Sequence, residues 1–323
     1  MISLGIVGLG TVFEWQYKSL LDFRDIIKVT GIMDIDHSKV YNTKKTIGNQ
    51  VKVYNSTEDM FASKDIDSVL ISTPPSSHFD LVLQALEYGK NVIIEKPVCL
   101  DYKRIKYLCD KKNSLSGFMY TAFHASFAED LLWYLSNKEE VMHRYGFERL
   151  KKIRCQFFDP YMRDGEIDSS KVSLEGSYID SGVNALSVCD KLVDLQNYSR
   201  IIHNDSTDKN GIVYESESIY KSKDKLLPEI EIVTSWNKNL NQKTTELYFD
   251  SLDNPLVLDH SNQCVRMFGE QTNDMENSVI FKKAEKERLH AHYFGVFEDF
   301  IEACLLRKDN SDVSQKIHRL LLE

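Results

Sequence analysis

The chain opens on an apolar run, Ile2-Ser3-Leu4-Gly5-Ile6-Val7, which enters Gly8-Leu9-Gly10 and continues through Thr11-Val12-Phe13 into an amphipathic stretch ending near Leu21. A strand that feeds a glycine turn and then a helix commits the chain to a crossover and a parallel sheet. In that setting Gly8 allows the tight turn, and Gly10 lets the backbone approach a pyrophosphate at the helix N-terminus, where Thr11 and Val12 stand. Phe13 occupies the third glycine position of the dinucleotide fingerprint, so helix and strand cannot pack as closely there.

The alternation that follows is that of a doubly wound fold. A strand over Ile27 to Met33 ends in Asp34-Ile35-Asp36. An acid at this point accepts hydrogen bonds from ribose hydroxyls and repels a 2′-phosphate, which favours NAD over NADP, although His37 and Lys39 keep NADP open. Asp36 suits a helix cap equally well. Next come a helix over His37 to Ile47, a strand over Val51 to Tyr54, and a helix opened by Ser56 with Asp59 three residues on. A strand over Ser68 to Ser72 leads into Thr73-Pro74-Pro75-Ser76-Ser77-His78. The prolines stiffen that exit into a wall for a flat ring, with Ser76 or Ser77 capping a helix that ends near Tyr88. His78 reads either as a packing histidine or as a cofactor contact. The run Asn91 to Ile94 then forms a buried parallel strand that delivers Glu95, Lys96 and Pro97 to the carboxyl edge of the sheet, where such sheets bind ligands. Taken alone, Lys96 reads as readily as a solvated loop lysine.

Composition narrows the function classes. The 323 residues are 42% apolar and 28% charged, ordinary for a folded protein and enough for two domains. Lys plus Arg number 40 against 49 Asp plus Glu, a net charge of −9 that offers no footprint for nucleic acid or an anionic membrane. No apolar run approaches the roughly 20 residues of a membrane span, and Met1 is followed at once by the first strand, so the reading is a cytoplasmic protein. The six cysteines lie far apart without a Cys-x-x-Cys pair, which points to reduced thiols rather than disulfides or a metal site.

Taken together, Gly-Ile-Val-Gly-Leu-Gly, Asp34, Thr-Pro-Pro-Ser-Ser-His and Gly89-Lys90-Asn91-Val92-Ile93-Ile94-Glu95-Lys96-Pro97 resemble the Gfo/Idh/MocA oxidoreductases. The resemblance implies an NAD(P)-binding Rossmann domain over 1–122. An α/β domain over 123–323 would follow, whose large open, mostly antiparallel sheet carries the substrate site and the contact of a homodimer or homotetramer. The implied cofactor contacts are Gly8, Gly10, Thr11, Val12, Asp34, Thr73, Pro74, His78, Glu95 and Lys96, with Lys96 reaching the reacting carbon as well.

Beyond Lys96, a helix over Asp101 to Asn113 and a strand over Gly117 to Phe123 close the first domain, and His124 follows at the strand end. His124 is either a half-buried histidine or a substrate contact. A helix over Phe127 to Ser136 precedes a strand over Lys151 to Phe158 and the loop Asp159-Pro160-Tyr161-Met162-Arg163-Asp164-Gly165. Its mix of carboxylate and guanidinium suits the donors and acceptors of a polyhydroxyl substrate, and a solvated loop would look the same. Asp180 and Asn184 are four apart and share one face if the helix has begun by Asp180; otherwise Asp180 is a cap. Five strands follow over Arg200 to Asn204, Ile212 to Tyr220, Glu229 to Ser235, Thr244 to Phe249 and Cys264 to Phe268, and then a helix over His292 to Leu306 and a short helical tail.

The run Asp180-Ser181-Gly182-Val183-Asn184-Ala185-Leu186-Ser187 resembles the family branch that oxidises galactose and arabinose at C1. It implies an NAD-dependent sugar dehydrogenase forming a lactone. Lys96 would be the acid–base group, oriented by Asp180; Asn184, which cannot take a proton at neutral pH, would hold a sugar hydroxyl. His124, Asp159 and Arg163 complete the expected substrate contacts, and no metal is called for. The same chemistry on a ketosugar or nucleotide sugar, or a non-catalytic NAD- or sugar-sensing regulator, are the alternatives.

Overall fold

A computed structural model describes the chain except residues 49, 112–114, 252–253, 268–278 and 283–285. Phe268 and Asn113, the expected ends of a strand and a helix, lie outside the described residues. The chain divides into two compact units, Met1–Phe123 with Tyr293–Leu322, and His124–His292 with Glu323.

The first unit is built on a six-stranded sheet in the order β3-β2-β1-β4-β5-β6. The strands are β1 (Ile2–Val7), β2 (Ile27–Met33), β3 (Lys52–Val53), β4 (Ser68–Ile71), β5 (Asn91–Glu95) and β6 (Met119–Ala122), all paired in parallel. Helices cover both faces of such a sheet, so its central strands are apolar without alternation: Ile6, Val69, Ile71, Val92, Ile93 and Ile94 are all fully buried. The strand order reverses between β2 and β4 on either side of β1, which places the exits of β1 and β4 together at the carboxyl edge.

The intervening helices are α1 (Phe13–Leu20), α2 (His37–Ile47), α3 (Thr57–Ala62), α4 (Pro75–Glu87) and α5 (Tyr102–Lys111). Asp36 caps α2 through the Ser38 amide at 2.9 Å, and Ser56 caps α3 through the Asp59 amide at 3.1 Å. Neither Ser76 nor Ser77 caps α4. Pro75 is the first helical residue, where its missing N–H costs nothing, and Ser77 instead turns its hydroxyl back to the Pro74 carbonyl and the Thr73 hydroxyl.

The expected division gave everything after residue 122 to the second domain, whereas Tyr293–Leu322 packs with the first unit. This segment comprises most of α8 (Arg288–Leu306) and all of α9 (Ser311–Leu322). Phe297 and Phe300 of α8 are fully buried, Tyr120 of β6 donates to Asp299 at 2.6 Å, and α9 lies on α5 and β6. Without these helices β6 would leave one apolar face uncovered.

The second unit holds an eight-stranded sheet in the order β10-β11-β12-β7-β13-β14-β15-β16, antiparallel except for the β12–β7 pair. Its strands are β7 (Leu150–Phe158), β10 (Tyr198–Thr207), β11 (Val213–Ser222), β12 (Glu229–Ser235), β13 (Gln242–Phe249), β14 (Leu256–Asp259), β15 (Cys264–Met267) and β16 (Val279–Lys282). On β7 the residues Ile153, Cys155 and Phe157 face the core, which is covered by α6 (Glu129–Tyr145) and α7 (Val183–Leu192). On the opposite face Glu231 binds Lys152 at 2.5 Å and Arg154 at 2.8 Å, so the period-2 pattern reads as one apolar and one charged face. A short hairpin, β8 (Met162–Arg163) with β9 (Glu166–Ile167), interrupts the loop after β7. Among the described residues no helix is long and apolar enough to cross a membrane.

Candidate active site

In the first unit the carboxyl edge is built around the glycine turn. Gly8 has φ +90°, and a Cβ there would lie 2.7 Å from the Ser72 carbonyl, so only glycine brings the β1 exit against the β4 exit. A Cβ on Gly10 would meet nothing within 4 Å, so this glycine faces open space. Helix α1 begins after Val12 without a side-chain cap; its Phe13 amide donates to the Gly10 carbonyl and its Trp15 amide to the Val12 carbonyl, both at 3.1 Å, and Thr11 is exposed beside this turn. Asp34 braces the turn: its Oδ2 accepts from the Leu9 amide at 2.7 Å and its Oδ1 from the Asp36 amide at 2.8 Å, with lone pairs remaining for ribose hydroxyls. This cradle fits a dinucleotide, which Gly8, Gly10, Thr11, Val12 and Asp34 would hold, with Thr73 and Pro74 where β4 ends.

Two expected cofactor contacts are turned inward instead. His78 is fully buried, with Nδ1 2.8 Å from the Pro97 carbonyl and Nε2 2.6 Å from the Thr73 carbonyl, so no polar ring atom is left for a cofactor. Burial pushes its pKa below the usual histidine value, against the two carbonyls, which favour the charged ring. Glu95 is likewise buried. It accepts from Gln16 at 2.8 Å and from Tyr293 at 2.6 Å, and burial raises its pKa against these bonds and the Lys96 charge. Gln16 in turn accepts from Ser72 at 3.0 Å, so the β4 exit, α1, β5 and α8 are tied through one carboxylate. Lys96 follows at the edge, half-buried and joined to Pro97 by a cis peptide bond.

In the second unit the expected residues sort into two groups. Asp159 is buried, with Oδ1 on the Lys243 ammonium at 2.5 Å and Oδ2 accepting from Ser181 at 3.2 Å. Lys243 also donates to the Phe158 carbonyl at 2.7 Å and to Asn241 at 2.8 Å, so its three hydrogens are engaged. Burial lowers the Lys243 pKa, while Asp159 and, more weakly, Asp180 pull it back. Tyr161 is pushed up, by burial first and then by Asp159 and Asp180. Arg288, at the start of α8, is pulled down by burial and held up by Asp159 and Tyr161. Asp159, Asp180, Tyr161, Lys243 and Arg288 thus form one electrostatic cluster.

Arg163 is outside it. It lies exposed on the β8–β9 hairpin near Asp168, beside a hollow of 370 Å³ lined also by Tyr161 and Glu166. Lys243 and Arg288 supply beside Asp159 the cations expected of Arg163.

Asp180 belongs to a π turn, Tyr178–Gly182, that continues into α7, so it is not the helix cap. Asn184 donates from Nδ2 to the Asp180 carbonyl at 3.3 Å, and its buried Oδ1 has no hydrogen-bond partner among the described residues. An orphaned amide oxygen on this segment is the acceptor a ligand hydroxyl would satisfy. His124, in a 3₁₀ turn, stacks on His292 with ring centroids 5.7 Å apart and Nδ1 atoms 3.4 Å apart. Burial, with His124, Arg288 and His260 nearby, drives the His292 pKa well down. Lys243, Arg288, Ser181 and His292 escaped the sequence reading because strand pairing and helix docking, not local motifs, bring them here.

Residues 2–122 match the model of the GFO/IDH/MocA oxidoreductase family, described by its NAD-binding Rossmann fold. An inositol 2-dehydrogenase/D-chiro-inositol 3-dehydrogenase from Shouchella clausii is 30% identical over 97 residues, 30% of this chain and 28% of that protein. A D-glucoside 3-dehydrogenase from Escherichia coli K12 is 26% identical over 129 residues, 40% of this chain and 36% of that protein. The matched stretches therefore span about a third of the curated relatives. A crystal structure of an oxidoreductase from Thermotoga maritima superposes with a TM-score of 0.79 at 17% identity, over 99% of this chain and 94% of that one. The N-terminal segment thus resembles the NAD-binding Rossmann domain of that family, and the chain has the two-sheet fold of the solved oxidoreductase.

Proposed function

We propose that the protein is an NAD(P)-dependent oxidoreductase acting on a sugar hydroxyl, and that within this class it oxidises an aldose at C1 to the lactone. The observation that carries the sugar reading is the polar cluster of the second unit, where buried Asp159, Ser181 and Asn184 and half-buried Asp180 and Tyr161 offer mixed donors and acceptors, with the Asn184 oxygen unsatisfied among the described residues. Such a set matches hydroxyl groups, each of which both donates and accepts. Relatives named for inositol and D-glucoside dehydrogenation agree in substrate class.

NAD, when bound, takes up the hydride released from the carbon that bears the hydroxyl. The protein must then accept the hydroxyl proton. An amide cannot do so near neutral pH, which rules Asn184 out as the base and leaves it to hold a hydroxyl. Lys96 is assigned the proton: as an amine it accepts it during oxidation, and as an ammonium it returns it in the reverse direction. Asp180 is assigned to orient the reacting hydroxyl and to share its charge with the cations of the cluster. The C1 reading rests on Asn184 within Asp-x-Gly-x-Asn-Ala-Leu-Ser.

The test is the near-ultraviolet absorbance of reduced nicotinamide, with NAD and NADP offered separately against free aldoses, inositols and nucleotide sugars. Turnover of galactose-like or arabinose-like aldoses supports the proposal; turnover of inositols or nucleotide sugars alone moves the reacting carbon elsewhere. Binding of NAD without any turnover favours a sensor.

A further inference from the structure

We propose that His318, on the last helix and 220 residues from the amide it binds, is a positioning residue for Lys96, acting with His78 across the loop. This rests on the reading of Lys96 as the proton-transferring group. The ladder between β5 and β6 ends at Glu95 opposite Ala122, so sheet pairing no longer holds the chain where Lys96 begins. Side chains take over. The Lys96 amide donates to Glu95 Oε2 at 3.3 Å, the Pro97 carbonyl faces His78 Nδ1 at 2.8 Å, and the Val98 amide donates to His318 Nε2 at 3.0 Å.

The roles on His318 are fixed by its second contact. Nδ1 lies 2.7 Å from the Ser314 carbonyl, which can only accept, so the proton sits on Nδ1 and Nε2 is left as the acceptor for Val98. The ring is fully buried, packs against Phe123 at 6.0 Å between centroids, and is followed outward by Ser314 and Thr121, whose hydroxyls are 3.0 Å apart. On the other side His78 is also fully buried and spans from Pro97 to the Thr73 carbonyl at the β4 exit. Two rings on different helices thus clamp the peptide groups that follow Lys96, and moving either one moves the lysine's backbone. A small displacement of a reacting group is enough to reduce rate by orders of magnitude.

The test compares His318→Leu, which removes the acceptor, with His318→Gln, whose amide oxygen can replace Nε2, in the full-length protein after thermal unfolding has shown each to be folded. Trace labelling of lysine amines with dinitrofluorobenzene across pH, read peptide by peptide by mass spectrometry, reports Lys96 without needing a substrate. The expected result is a several-fold change in Lys96 labelling in His318→Leu with exposed Lys18 unchanged, and recovery in His318→Gln. On a turned-over sugar, kcat should fall at least tenfold while NAD affinity holds. If His318→Leu does not fold, His318→Asn, whose shorter amide does not reach Val98, takes the same readouts. A folded variant lacking the acceptor with wild-type Lys96 labelling and kcat within twofold overturns the proposal. A wild-type protein that oxidises no sugar refutes the assigned function instead, and the labelling comparison still decides this one.

Discussion

The amide of Leu9 donates to the Asp34 carboxylate at 2.7 Å, so the acid at the end of β2, proposed as the ribose acceptor, also holds the glycine turn in place. The two duties separate in Asp34→Asn, which retains an oxygen for the Leu9 amide, and Asp34→Ala, which retains nothing. A hydrogen bond to a charged group contributes about 1.5–3 kcal/mol. Urea unfolding should show Asp34→Ala destabilised by roughly that amount, and Asn by less. Both should weaken NAD in a fluorescence titration, and unaltered NAD affinity in both would remove Asp34 from the cofactor site.

The glycines of the turn should respond differently. Gly8→Ala drives a Cβ to 2.7 Å from the Ser72 carbonyl at φ +90°, where backbone and not a flexible side chain must give way, so a loss of at least about 2 kcal/mol is expected. Gly10→Ala has open space and should stay within about 0.5 kcal/mol of the wild type, while losing NAD affinity at least tenfold because the methyl group occupies the cradle. Equal behaviour of the two variants in melting and NAD titration would contradict this division of labour.

The Asp159–Lys243 pair should couple strongly. Removing one partner of a buried pair leaves an uncompensated charge and costs about 3–5 kcal/mol, whereas removing both costs much less than the sum. Lys243→Met and Asp159→Asn should therefore each lower the unfolding midpoint, and the double variant should lower it by much less than the sum of the two. Additive single effects in a double-mutant cycle would show that the pair is not the unit.

Stability should also depend on pH through His318. Its folded pKa is about 4 because burial disfavours the charged ring, against about 6.5 in the unfolded chain. Between these values the unfolded chain binds more protons, so stability is full above about 6.5 and falls as pH drops towards about 4. At pH 5 the loss from this group alone is about 2 kcal/mol. Because carboxylates titrate nearby, the measurement is the difference between wild type and His318→Gln at neutral pH and at pH 5, which should shift by about that amount in favour of the variant on acidification. A constant difference would contradict the depressed pKa.

The parts of the fold that announce themselves locally were legible in the sequence. The Gly8–Gly10 turn, the Asp36 and Ser56 caps and the apolar run ending at Glu95 each carry their signal within a few residues. The helix over His37–Ile47 and the strand over Glu229–Ser235 have the expected bounds, while α6 runs on to Tyr145 because nothing stops it before Gly146, which takes the left-handed cap. Strands β14 and β16 were missed; four residues are too few to show a period, and only pairing with β13 and β15 makes them strands. For the site, Asp180 and Asn184 were visible as a spacing, but Lys243 stands 84 residues from Asp159 and meets it only because β13 pairs beside β7. His78, read as either a packing histidine or a cofactor contact, and Glu95, expected at the cofactor, both face the interior, since a residue's neighbours across the fold decide whether it faces a groove or the core.

Hydride removal from C1 of an aldose is tested most directly with galactose-like and arabinose-like sugars deuterated at C1. After incubation of the wild-type protein with NAD and the labelled sugar, the reduced cofactor and the sugar product are analysed by mass spectrometry and NMR. Hydride removal from C1 places deuterium on the nicotinamide ring and leaves an unlabelled lactone. Deuterium retained in an oxidised sugar, with unlabelled reduced cofactor, would place the reaction at another carbon and contradict it; so would the absence of any oxidation of these sugars while NAD is bound.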